Sequence, residues 1–548
     1  MKKSKFHYAL IAFLLSYITP LTMWAQEDNI VWKKNFGGQH PDGFGDVIAV
    51  SDGIIAVGSS WWLSFGTGDW TGVTGRGGTD AIIVKYDSNG NVVWKKHLGS
   101  SDHDYFHEVT EVSDGIVVVG DSPSRDGDWS GVQGMGRFDA TIVKYSNSGS
   151  VIWKKRFGGI DDDDYYSVTT VSDGVVAVGS SGVLSFVGND DWAGVSGKGG
   201  TDAIIVKYDN NGNVVWKKNF GGNGGDEFRS VVAVDGGVIV VGSSSQPSFN
   251  NGDWEGVDGK GIRGHDAIIV KYDNNGNVVW KKNFGGSGDD EFISVAATLD
   301  GIIVVGHSHS ESFGNGDWTG VYRKGNEDAI IVKYSNDGDV VWKKNFGGSD
   351  NDEFRSVVSV EDGIITVGYS GANSFGNGDW TNTNGNGGID AFLLKYDNNG
   401  NIIHKQNFGG NNSDWFFSVV PVLDGVVAVG SSKAESFGNG DWINILGKGY
   451  DDAIIVKFST NGLGCCDFFK SSNLSAFPNP TKGRLRIESN EAKIESVEVF
   501  DIYGRKLLAL LSPIFSDCTI DISHLSAGIY FVRVSTDTGV VIKKVLKE

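Results

Sequence analysis

The chain has 548 residues, with 80 Gly, 8 Pro, 3 Cys, and 47 Lys+Arg against 68 Asp+Glu. A formal charge of −21 excludes partners that need a basic face, nucleic acid and anionic lipid above all. Three Cys exclude a disulfide framework, scarce Pro excludes collagen and Pro-rich linkers, and the length exceeds one ordinary domain.

The first element is an export signal. Lys2, Lys3 and Lys5 precede an apolar stretch from Tyr8 to Trp24, followed by Ala25 and the acidic Glu27 and Asp28. A basic start, an apolar middle and a small residue before a polar segment predict a signal peptide over 1–25. Ser16, Thr19 and Pro20 break the apolar run, which is too short to anchor comfortably. No other segment approaches a spanning length, so no transmembrane segment is expected after cleavage.

Seven repeats follow, over residues 27–463. A Val-Trp-Lys-Lys-like segment carries Trp32, Trp94, Trp153, Trp216, Trp280 and Trp342, with His404 in the seventh position. An Asp-Trp pair ends in Trp70, Trp129, Trp192, Trp254, Trp318, Trp380 and Trp442. A third marker opens an apolar run at Asp80, Asp139, Asp202, Asp266, Asp328, Asp390 and Asp452. Three registers agree on seven units of about 60 residues.

Each unit reads as four strands, here named A to D. In one unit they are Phe228–Val234, Val238–Ser243, Asp266–Tyr272 and Asn277–Lys282, with Asp-Gly and Asn-Gly turns joining A to B and C to D. Apolar runs without polar alternation predict strands buried on both faces. The repeat region opens with a D strand at 30–36 and closes on A, B and C, without a final Trp-bearing D. The first strand is therefore expected to complete the last blade and close a ring without free edges. The fold class is all-β: a seven-bladed β-propeller followed by a small β-sandwich. A linear β-solenoid is the alternative, but its coils are usually shorter.

The order IVVGS, DAIIVKY, then Gly-Asn-Val-Val-Trp resembles the blades of quinoprotein-like (PQQ-type) propellers. The same pattern is similar to repeats in secreted proteins of Bacteroidetes. This is a likeness of scaffold and implies no activity.

After a linker at 464–474 containing Cys465 and Cys466, all repeat markers stop. Residues 475–548 contain FPNPT (Phe477–Thr481, with Pro478, Asn479 and Pro480), Gly483, VFDIYGR including Gly504, LSAGIYFV with Gly528 and Tyr530, and a final KKV. This segment resembles the type IX secretion (type A) C-terminal sorting domain of Bacteroidetes. The resemblance implies export across both membranes, a partnership with the type IX machinery, and a secreted or surface-attached product of a Gram-negative cell.

Long loops should carry the function. The D-to-A and B-to-C connections are long and emerge on one face, whereas the A–B and C–D turns on the other are tight. Asp42, Asp104, Asp163, Asp226, Asp290, Asp352 and Asp414 recur on the long-loop face. They and the Asp80 series are expected to brace loops, because every blade junction needs the same support. Unit-specific residues are better ligand candidates: Trp61 and Trp62, whose rings suit a sugar face, and the pair His307 and His309. Oxygen-rich tips at Asp161 and Asp163, Asp289 and Asp290, and Asp350 and Asp352 are candidate calcium ligands, although none has a known calcium-loop spacing. Calcium is the one candidate cofactor. No nucleophile elbow, metalloprotease helix or phosphate loop occurs, and no catalytic residue is assigned. The expectation is a secreted or surface binding propeller for an extracellular glycan or protein. The alternatives are a polysaccharide hydrolase or lyase, and a structural envelope protein.

Overall fold

The structure is a computed structural model. It describes residues 29–459, apart from 189, 299, 361 and 423, and residues 474–547, apart from 490–492, 502–505, 512–516, 527 and 537–538. The signal segment, the Cys465–Cys466 linker and Gly504 lie outside the described residues.

Seven four-stranded antiparallel sheets succeed one another along the chain. In the fourth, strands A to D are Asp226–Val234, Gly237–Ser245, His265–Asp273 and Val278–Phe284. Neighbouring A strands touch one another and form the inner wall, whereas the D strands are outermost. Strand A starts at the aspartate, two residues earlier than the β-rich run alone indicates.

Burial follows strand position. Strands B and C are buried nearly throughout, as their unbroken apolar runs require. Strand D is solvent-facing at its start and covered only near its terminal Phe. The cores sit between blades: Val176, Val178, Ala203 and Ile205 of the third meet Phe228, Val231, Val238 and Val240 of the fourth. Close approach explains the Gly of the Val-Gly-Ser segment. At Gly242 an added Cβ would lie 1.9 Å from the Glu227 carbonyl oxygen, where strand A bulges between Phe228 and Ser230.

The ring closes through its first strand. Ile30–Phe36 pairs antiparallel with Asp451–Ser459 and supplies the outermost strand of the seventh blade. Asn35 donates to the Asp452 carboxylate at 2.6 Å and to the Leu446 carbonyl at 2.9 Å. Trp32 then crosses to the first blade, where its ring covers Gly90 of the C–D turn and its indole N–H reaches the Ser88 carbonyl at 3.2 Å. The same docking repeats at Trp94 over Gly149, Trp153 over Gly212, Trp216 over Gly276, Trp280 over Gly338 and Trp342 over Gly400.

The segment after the propeller forms a three-stranded and a four-stranded sheet. Leu485, Ile487 and Ile520 of the first share one core with Val497, Val499, Val532 and Val534 of the second. Two sheets facing one apolar layer make a sandwich.

Candidate functional site: the long-loop end of the channel

Three aspartates per blade hold the long-loop face in place. The first opens strand A. Asp163 accepts hydrogen bonds from Gly159 N–H at 2.8 Å and Ser185 Oγ at 2.8 Å, and Asp290 accepts from Gly286 N–H, Ser308, Ser312 and the Trp318 indole. Burial pushes Asp163 and Asp352 up to about 7, against serine hydroxyls and glycine N–H groups that pull the other way. The second series tightens each blade on itself. Asp328 accepts from Lys324 N–H, Gly325 N–H and Asn345, and Asp202 from Lys198 N–H and Asn219. Asp80, Asp139, Asp266, Asp390 and Asp452 occupy the same bracket, all buried. The third, from the Asp-Trp pair, crosses blade boundaries. Asp317 accepts from Gly285 N–H and pairs with Lys260 at 3.2 Å, Asp128 pairs with Arg76 at 3.1 Å, and Lys198 meets Asp253. Its Trp partner is buried beneath the loop, as Trp254 is against Phe220 and Phe249.

The acidic pairs considered for calcium are divided by this bracing. Asp163, Asp290 and Asp352 face inward into their brackets, whereas their neighbours stand at the loop tips. Asp161 accepts from Leu184 N–H, Asp289 from His265 N–H, and Asp350 from Asn373. Among the described residues, no group of three or more His, Cys, Asp or Glu is placed to hold a metal ion.

What varies between blades lies one and three residues after the first aspartate. Side chains alternate along a strand, so these positions share a face while the constant Phe or Tyr between them enters the core. They read Gly43 and Gly45, Tyr105 and His107, Asp164 and Tyr166, Glu227 and Arg229, Glu291 and Ile293, Glu353 and Arg355, then Trp415 and Phe417. Because strand A is innermost and begins at the long-loop face, these half-buried side chains ring that end of the central channel.

The ring is continuous over most of its circumference. Trp61 lies 6.1 Å from His103, His103 is 6.4 Å from Tyr105, Tyr105 is 6.2 Å from His107, and His107 is 5.9 Å from Tyr166. The Arg229 guanidinium covers Tyr166 at 4.8 Å and reaches Glu291 at 2.9 Å and Glu227 at 2.8 Å. His307 bridges Glu327 at 3.2 Å and Glu291 at 3.8 Å. Arg355 pairs with Glu353 and covers Phe417, and Lys433 covers Trp415. Only the first blade lacks side chains on strand A at these positions. At Gly43 an added Cβ would meet just Ser431, at 4.0 Å, so the wall has a notch there.

Of the four ligand candidates read from sequence, Trp61 and His307 belong to this ring. Trp62, half exposed, sits on the following turn, and His309 is exposed at the strand end opposite Glu327. The other ring members escape single-residue reading. Aligning the seven units and reading strand A with period two would have isolated them.

Charge at the ring is tuned by contact. His107 binds Asp121 at 2.6 Å; burial works against its imidazolium, but the bond and the charges of Asp121 and Asp164 hold its pKa above the ordinary value. Burial, with Asp121 next, pushes Asp164 up to about 7 despite His107. Burial raises Glu327, and His307 opposes it.

In the following segment, Asn479 Oδ1 accepts from Leu546 N–H at 2.9 Å and Tyr530 donates to the Ser526 carbonyl at 2.8 Å. Pro478 and Pro480 are exposed, and Gly528 opens the strand that carries Tyr530. Residues 475–548 match the family described as "Secretion system C-terminal sorting domain". The chain is a type IX-secreted β-propeller protein. Its destination is the cell surface or the extracellular medium, reached through the type IX machinery. No helix among the described residues is long and apolar enough to cross a membrane.

The chain is also similar to "Regulatory protein FlaEY" of Caulobacter vibrioides, 25% identical over 240 residues. That match covers 41% of this chain, which spans about a quarter (25%) of the length of that relative. Among solved structures, the WD40 β-propeller domain of Doa1 aligns with TM-score 0.38 and 12% identity, covering 78% of this chain and 98% of that one. Phage phi92 endosialidase aligns with TM-score 0.37 and 10% identity, covering 81% and 72%. At these scores the likenesses carry no argument, and the fold rests on the strand order above.

Proposed function

We propose that the propeller is a binding module, displayed or released outside the cell, which recognises a glycan through the long-loop end of its channel. The observation that carries this reading is the asymmetric ring. Seven nearly identical scaffolds present six different residue pairs at one place, Glu–Arg recurring in the fourth and sixth blades and Gly–Gly leaving the first bare, with aromatic rings from the seventh blade round to the third. Aromatic faces suit the apolar faces of sugars, and the interleaved Arg, His and carboxylate groups suit their hydroxyls. The notch at Gly43 leaves room at the rim for a chain-like ligand. A protein ligand remains the alternative occupant. We also infer that the blades are of the quinoprotein type, which the docking of Trp32 over Gly90 and its counterparts supports.

A glycan array probed with the secreted protein tests this. Selective binding that Arg229→Met or Tyr166→Ala removes supports it, and silence from folded protein contradicts it.

A second reading rests on Asp164. A carboxyl at about 7 beside the His107–Asp121 pair is suited to general acid–base work near neutral pH. Release of new sugar ends that stops in Asp164→Asn would make the protein a hydrolase or lyase.

A further inference from the structure

A different signal lies at the tight-turn end. In six blades the Lys of the strand C Lys-Tyr or Lys-Phe pair is buried and meets an Asp in the A–B turn. The pairs are Lys85–Asp52 and Lys144–Asp114 at 2.7 Å, Lys207–Asp173 at 2.8 Å, Lys333–Asp300 at 2.7 Å, and Lys395–Asp362 and Lys457–Asp424 at 2.6 Å. The fourth blade breaks the rule. Its turn reads Asp235-Gly236-Gly237, which places Gly236 where the others have Asp. Lys271 there makes no ion pair or hydrogen bond among the described residues and is more exposed than its six equivalents.

Lys271 lines a cavity of about 730 Å³ that runs along the ends of strand A in the third, fourth and fifth blades. Around it stand Thr169, Ser172, Asn274 and Asn336, none of whose side chains is hydrogen-bonded among the described residues. Asp235 also lines the cavity but is exposed and forms no ion pair with Lys271. The volume lies within the range of small-ligand sites.

We propose that this cavity is a second binding site, separate from the long-loop ring, for a hydroxyl-rich ligand with a single carboxylate, such as a hexuronate sugar. The ligand carboxylate takes the place beside Lys271 that an Asp fills in the other blades. An ammonium and a carboxylate satisfy one another where each alone would be partly desolvated. The hydroxyl and amide groups around the cavity suit sugar hydroxyls. One cation fits one carboxylate better than a dianionic phosphate.

The test is calorimetric titration of the secreted protein with galacturonate, with galactose as the neutral control. We expect saturable binding of galacturonate alone, weakened by salt. Lys271→Gln removes the ammonium without breaking any internal pair and should reduce affinity at least tenfold. Gly236→Asp restores the missing partner and should do the same; its φ of +78° lies in the region Asp tolerates better than most residues. Lys218→Gln, which removes an exposed lysine on strand D of the third blade, should bind as well as the wild type. No binding up to millimolar concentration, undiminished binding by Lys271→Gln, or an equal loss in Lys218→Gln would overturn the proposal.

Discussion

Lys448, in the long loop of the last blade, reaches Asp69 in the long loop of the first at 2.5 Å, and the same ammonium donates to the Asn35 carbonyl at 2.7 Å. One side chain thus joins the last blade, the first blade and the strand that closes the ring.

Removing Ile30–Phe36 should therefore cost far more than a surface strand. The seventh blade would lose its outer strand, the Asn35–Asp452 bond and the crossing of Trp32 to Gly90. We expect a loss beyond about 4 kcal/mol, the range of losses that disrupt a core. A thermal melt checks this, and an unchanged midpoint would show that the ring does not depend on its closing strand.

The indole girdle makes a sharper prediction. At Gly338, φ is +83° and an added Cβ would lie 3.0 Å from the Trp280 ring. Gly338→Ala should destabilise by about 1–3 kcal/mol through strain and overpacking. Trp280→Ala should cost about 2 kcal/mol or more, because its ring is partly buried against the next blade. In the double variant the two losses should be less than additive, since removing the ring relieves the overpacking by the added Cβ. Full additivity in denaturant titrations would argue against docking.

The buried aspartates set a pH dependence. Burial lifts Asp42, Asp163 and Asp352 up to about 7 from 3.8. Between those values the folded protein holds more protons than the unfolded chain, so stability should fall as pH rises through about 7. Melting should occur at higher temperature at pH 5 than at pH 8, and Asp163→Asn should flatten the profile. A midpoint that climbs from pH 5 to pH 8 would refute it.

Export should depend on the last segment. Truncation before residue 475 should leave a folded propeller inside the cell envelope, found by fractionation in the periplasm. Truncated protein in the medium at wild-type levels would show another route.

Much of this architecture is legible in the chain because repetition multiplies a weak signal. One DAIIVKY run is ambiguous, but seven in register with Asn-Gly turns define a blade, and the missing final strand D defines closure. The sandwich and its sorting motif are legible for another reason: Asn479, Gly528 and Tyr530 hold turns and strand starts that fix their identities and spacing. The binding ring is harder to see. Tyr105, Tyr166, Arg229 and Trp415 are ordinary residues on ordinary strands, and only their common depth along the channel unites them. Single-residue reading favours conspicuous residues such as Trp62 and the acidic tips, and the aspartates of the loop brackets are just as conspicuous. Lys271 is harder still, because its distinction is an aspartate that is absent from a turn 35 residues away.

The proposed glycan site at the long-loop ring is directly testable. Its most direct measurement is a glycan array of the secreted wild-type protein beside Arg229→Met, whose guanidinium joins the aromatic arc to the charged one. Selective binding by the wild type should be lost in the variant while the variant remains folded. Equal binding by both, or none by either while both are folded, would contradict it.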